Sequence, residues 1–198
     1  MTETTNLQRR RFLLGGATLA GVGALVGWAR WVPTGAVAAE TPEPASPVNI
    51  VAFDDHGVRL GRRTLARVIK TPAQWRAALT PAQYYILREQ GTEPAFSGKY
   101  VDPPEQAGLY RCQGCGNVLY DAATQFHSGT GWPSFWQPIA AINVTERIDS
   151  SYGMTRTEIR CTLCDGHLGH KFHDGPPPTG LRYCMDSLAL RFVPTSAA

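Results

Sequence analysis

Four of the five cysteines in this 198-residue chain fall into two C-x-x-C pairs. The pairs are Cys112-Gln-Gly-Cys115-Gly and Cys161-Thr-Leu-Cys164-Asp-Gly, about 45 residues apart. A C-x-x-C turn aims two sulfurs at one cation, and a glycine close behind lets the chain turn tightly around the ion. Two such turns complete a closed tetrahedral set of thiolates, the pattern of structural zinc, with no position left for a substrate. Iron suits the same donors and ranks second. The redox alternatives are a thioredoxin-like couple or two disulfides. One shared cation accounts for both motifs at once, so one structural Zn2+ is expected on Cys112, Cys115, Cys161 and Cys164.

Cys184, in the stretch GLRYCMDSLALRF, is left over. If this stretch is a strand, Arg182, Cys184 and Asp186 share one face, while Leu181, Tyr183 and Met185 share the other and look like core. A free thiol has a pKa of about 8.5, and a neighbouring guanidinium or imidazolium lowers it. A buried, inert cysteine is the bland alternative, and the polar flanks argue for exposure. In CDGHLGHKFHDGP, His167 and His170 lie three apart, with Gly166 and Gly169 making the turn. Four thiolates already fill a metal site, so these imidazoles are free for acid–base work. Asp174 can orient one of them or pair with Arg182, and His173 reads as surface. In HSGTGWPSFW, Gly129 and Gly131 permit close backbone approach beside Trp132, Phe135 and Trp136. Phe135 reads as core, whereas a tryptophan in a glycine-rich loop is less often pure packing.

The elements that must position these groups are mostly strands. From Tyr100 onward, short period-two runs are punctuated by Gly, Pro and aromatic residues, which reads as antiparallel β. Upstream, Thr71 and Thr80 each precede a proline and a helical pattern, PAQWRAAL and PAQYYILREQ, with Gly91 placed to end the second. Trp75 with Leu79, and Tyr84 with Leu87, share faces that pack on the domain. Residues 48–70 read as a short hairpin turning at Asp54-Asp55-His56-Gly57, with Val48, Ile50 and Ala52 alternating against Asn49, Val51 and Phe53. Residues 39–47 are a Pro-rich linker. Residues 1–38 read as a secretory leader: Arg9-Arg10-Arg11, a weakly apolar Gly-rich run, then Ala36-Val37-Ala38. A cleaved twin-arginine signal is expected ahead of a retained anchor, which places the protein in the periplasm or otherwise outside the cytoplasm. The chain carries a net charge of +3, and the leader's four arginines against Glu3 supply all of it. The remainder is near neutral, which argues against nucleic acid as a partner.

Taken in order, CQGCGNVLYD, SGTGWPSFW, CTLCDGHLGHKFHDGP and TGLRYCMDSLALRF resemble the B-type methionine sulfoxide reductases. WRAALTPAQYYILREQGTEPAFSGKY looks like the family's helical lead-in, so the resemblance covers about residues 70–193 and the domain is taken as 71–198. It implies a mainly β fold of two antiparallel sheets with short N-terminal helices. It further implies reduction of methionine (R)-sulfoxide in proteins and peptides. On the matching motifs, Cys184 resembles the nucleophile, His167 and His170 the polar histidines, Trp132 the wall for the substrate's S-methyl group, and the four paired cysteines the zinc ligands. Arg182 is expected to hold Cys184 as thiolate, and Asp186 and Asp174 are taken as substrate-side groups.

The chain departs from the family's pattern in three places. Thr130 stands where some members carry a resolving cysteine, so an external, thioredoxin-like thiol is expected to regenerate Cys184. Asp186 stands where asparagine is common, and a carboxylate there should raise the thiol's pKa. His127 stands where an acidic residue is usual. A monomer is expected. Two other classes compete: a zinc-ribbon binding module with an incidental fifth cysteine, and a thiol–disulfide oxidoreductase using a C-x-x-C.

Overall fold

A computed structural model describes residues 46–195; the predicted leader and all but the last two residues of the linker lie outside the described residues. Strands β1 (Pro47–Phe53) and β2 (Arg59–Ala66) form the expected hairpin. Its turn is tied by Asp54, whose Oδ1 accepts from the backbone N–H of His56 and Val58. The alternation is not the one read from the sequence, because Ile50 and Val51 are both buried. The cause is Asn143: its side-chain amide bonds both the N–H and the C=O of Val51, pinning β1 into the body of the domain.

Helices α1 (Pro72–Ala78) and α2 (Pro81–Glu89) begin at Thr71 and Thr80, as expected. Each start is a complete capping box: the threonine hydroxyl accepts from the third residue, Gln74 or Gln83, whose side chain returns a bond to the cap N–H. The end of α2 differs from expectation. Gln90, not Gly91, takes the left-handed conformation, at φ 57°. Gly91 is needed because the Tyr85 ring occupies the space a Cβ would fill. Trp75, Ile86 and Leu87 are the buried helical residues, joined in the core by Leu79 at the end of α1. Trp75 lies against Gly114, inside the first C-x-x-C, and Leu87 against Gly166, just behind the second.

The remaining strands build two antiparallel sheets. The larger contains β5 (Gln125–Phe126), β6 (Ser134–Phe135), β10 (Arg182–Met185), β9 (His167–Phe172), β8 (Arg156–Cys161) and β7 (Val144–Asp149), in that spatial order. The smaller runs β11 (Leu190–Pro194), β3 (Gly108–Cys112), β4 (Val118–Asp121). Inward residues of both sheets make the core, where Tyr120 stacks on Phe135 at 4.3 Å and Tyr110 meets Phe135 edge-on at 5.0 Å. Phe135 is fully buried, as read from the sequence. Each such aromatic contributes roughly 1.5–3 kcal/mol of burial, which makes the sheets a rigid base for the site.

Candidate active site and metal centre

Each C-x-x-C is the turn of a hairpin, one joining β3 to β4 and the other β8 to β9. The four sulfurs come together from these two turns and lie within 4.8 Å of one another. Cys112 to Cys164 is 3.6 Å and Cys115 to Cys161 is 3.5 Å. A tetrahedron with metal–sulfur bonds of about 2.3 Å has edges of roughly 3.8 Å, whereas a disulfide is about 2.05 Å. The spacing therefore fits one shared cation and no disulfide. Asn117 donates to Cys161 Sγ, and Cys112, Cys161 and Cys164 are buried. The glycines behind the motifs serve different purposes. Gly116 turns the first knuckle at φ 79°, but in the second that position is Asp165 at φ 57°. Gly166 instead gives room to Leu87 of α2, whose neighbour Arg88 donates to the Cys164 carbonyl.

Cys184 lies in β10, the strand between β6 and β9, with Ser134 opposite on one side and His170 on the other. Gly169 makes this pairing possible. It sits in β9, not in a turn, and a Cβ there would collide with the Cys184 carbonyl and Met185. Cys184 is half-buried, and Thr130 Oγ1 stands 4.0 Å from its sulfur. A chain of hydroxyls, Ser134 to Ser128 to Thr130, backs this contact.

Two expectations about this strand change. Arg182 and Asp186 are buried, at 8% and 3% exposure, so of the strand's polar face only Cys184 is half-exposed, at the pocket. Arg182 does not leave Cys184 a ready thiolate either. Burial pushes the thiol up, and the opposing pull of Arg182, Thr130 and Ser134 does not overcome it, while Asp186 pushes the same way as burial. The guanidinium is shared: it makes two 2.9 Å bonds to Asp174 and lies over the Phe172 ring. Asp174 thus takes the second of its two foreseen roles, on Arg182 and away from the histidines.

The two histidine rings meet edge-on at 5.3 Å. A strand would send residues three apart to opposite faces, but the register slips at Ile159/Arg160 and brings both rings together. His170 Nε2 is 2.8 Å from Asp149 Oδ2, and the same oxygen accepts from Arg156 at 2.7 Å. Burial lowers the His170 pKa, against the raising pull of Asp149. Hydrogen bonds from Ser151, then from His170 and Arg156, hold Asp149 well below the usual carboxylate range. His167 is buried, with Nδ1 2.7 Å from Glu158 Oε1. Burial alone would raise Glu158, but the His167 bond and the Arg160 charge outweigh it and hold it ionised. Asp149, Arg156 and Glu158 escaped the sequence reading. Their charges within alternating runs, ERID and TRTEIRC, were the only signal, and their partners depend on strand register.

A pocket of about 110 Å³ opens at Cys184, lined by Thr92, Trp132, Arg156, His170, Phe172 and Asp186 among others. Trp132 is held there by its indole N–H, which donates to the Glu93 carbonyl. Asp174 is not in this lining. A polar cleft of about 200 Å³ adjoins it, containing Asp149, Arg156, Glu158, His167 and His170. A larger cleft of about 540 Å³ between α2 and residues 92–100 contains neither Cys184 nor the histidines.

An unpaired thiol at a half-apolar pocket, with an imidazole across the strand and the other cysteines gathered elsewhere, has the layout of a thiol-dependent oxidoreductase. Comparison with known proteins gives the family. The model of the SelR domain matches residues 79–194. Over 125 residues the chain is 58% identical to a peptide methionine sulfoxide reductase MsrB of Thiobacillus denitrificans, covering 63% of this chain and 94% of that protein. Proteins of the same description from Bradyrhizobium diazoefficiens and Agrobacterium fabrum are 55% identical over 128 residues and 53% over 131. These alignments cover 65% and 66% of this chain, and 91% and 96% of the relatives. The chain belongs to the SelR domain family, the B-type methionine sulfoxide reductases.

Proposed function

We propose that the protein reduces the R epimer of methionine sulfoxide in proteins and peptides, with Cys184 as the nucleophile. The observation that carries this reading is the placement of Cys184 directly across from His170, at a pocket walled by Trp132 and Phe172. The S-methyl group rests on these rings, and the sulfoxide oxygen faces the imidazole. The thiolate attacks the sulfoxide sulfur. The oxygen is a poor leaving group until protonated, and His170, held by Asp149 and backed by His167, delivers the proton. The thiol's own proton balances the step: thiol and sulfoxide become sulfenic acid and thioether, two electrons passing from the cysteine sulfur to the methionine sulfur. Arg182 offsets part of the cost of the thiolate, and Asp186 borders the substrate.

The four paired cysteines hold a structural Zn2+ and take no part in turnover. That leaves Thr130, not a thiol, beside Cys184, so an external thiol regenerates the enzyme. The leader and its twin arginines support export to the periplasm. An assay on R- and S-sulfoxide peptides with dithiothreitol tests the reading. Turnover of the R epimer alone, with one zinc per chain by elemental analysis, is the expected result. Equal turnover of both epimers removes the stereochemical claim.

A further inference from the structure

The imidazole of His167 is bonded on one side only. Nδ1 donates to Glu158, which leaves Nε2 as the free ring position. Nε2 is fully buried and has no hydrogen-bond partner. The carboxylate oxygen Asp186 Oδ2 lies 3.8 Å away. The other oxygen, Oδ1, accepts from the Glu93 backbone N–H. At 3.8 Å the two atoms are not hydrogen-bonded as they stand, and closing that gap requires a proton on one of them. An asparagine at this position would present a fixed N–H to the ring. Asp186 presents a proton that can leave.

We propose that Asp186 and His167 hold one exchangeable proton beside the Cys184 pocket, and that its loss as pH rises makes Asp186 an anion that suppresses thiolate formation at Cys184. Asp186 is then a positioning residue that acts through charge. This inference rests on the reading of Cys184 as nucleophile.

Among the described residues, no guanidinium or ammonium group is paired with the Asp186 carboxyl. Glu158, behind His167 on β8, is offset by Arg160 at 3.7 Å. Glu93, from the segment after α2, takes the backbone N–H of Ser187 and Leu188 on its own two oxygens. Arg156 lines the same pocket, but its guanidinium is bonded to Asp149. Arg182 is bonded to Asp174. His170 reaches the pair only through the His167 ring. Burial raises Asp186 to about 7, with its Glu93 N–H bond and His167 opposing and the Glu93 charge adding. The transition therefore falls near neutrality.

Two measurements test this. In wild-type protein labelled with 13C at the aspartate carboxyls, one aspartate is expected to titrate near neutrality and to vanish in Asp186→Asn. If every aspartate completes its titration in the ordinary acid range, the inference is overturned, whatever the variant does. Second, Cys184 alkylation by iodoacetamide is followed by mass spectrometry across pH without turnover. In Asp186→Asn the thiol's midpoint should fall by about one unit, a tenfold gain in thiolate at fixed pH. The single-turnover rate is expected to fall above neutrality in wild type and to hold level in the variant. Superimposable profiles contradict the proposal. Activity surviving Cys184→Ser would instead remove the nucleophile reading and leave the carboxyl titration intact.

Discussion

The knuckle cysteines and Cys184 share one chemistry and differ in what the fold brings to them. Hairpin turns deliver the knuckle thiols to each other, so each sulfur's neighbours are sulfurs at about 3.5 Å. A strand inside the sheet delivers Cys184 singly to a cleft, where its neighbours are a hydroxyl, an imidazole and aromatic rings. Turns make closed donor sets, and a strand flanked by polar neighbours makes an open site. The histidines repeat the contrast. Each is hydrogen-bonded to one carboxylate, but His170 opens on the pocket while His167 is 1% exposed and has a second carboxylate, Asp186, 3.8 Å from its other nitrogen.

Substitutions sharpen or break this division. The largest effect is expected from Cys184→Ser, which should reduce turnover to background with metal content and melting temperature unchanged. Activity in that variant would put the reactive thiol in a knuckle. Cys161→Ser should lose metal and fold together, since structural zinc contributes on the order of 10 kcal/mol, as much as a typical domain's whole stability. Elemental analysis and circular dichroism read both; a folded, metal-free, active variant would show that the closed set is dispensable. His170→Gln should lower single-turnover reduction by about 10²- to 10⁴-fold at unchanged stability, the usual range for a positioned acid.

The smallest effect concerns pH and stability. Asp186 is raised to about 7 in the folded chain, above the roughly 4 of an unfolded aspartate. Its contribution is therefore complete below about pH 4 and lost as pH rises through about 7. Wild type should lose more melting temperature than Asp186→Asn between pH 6 and pH 8, checked by calorimetry. Equal losses would mean the carboxyl is already ionised.

Much of the site was legible because it is written in residue types at fixed spacing. The two knuckles, Cys184, the histidine pair and Trp132 need no knowledge of the sheets. Thr71 and Thr80 were equally plain, since capping is local. What depended on register was not. Asp149 and Glu158 become partners of the histidines only after β7, β8 and β9 pair and slip. Gly169 looked like a turn residue, and its use is the close approach of two backbones. The charge on Arg182 was correctly seen, but its two bonds to Asp174 and the burial of Cys184 were not. The double burial of β1 was hidden for the same reason, since Asn143 lies 92 residues away.

The most direct test is a single turnover without reductant. Protein is mixed with a methionine (R)-sulfoxide peptide, trapped with dimedone and mapped by mass spectrometry. The account predicts one methionine formed per chain, dimedone on Cys184, and all four knuckle cysteines unmodified and still holding metal. Label on a knuckle cysteine, or a disulfide joining Cys184 to one of them, would contradict it.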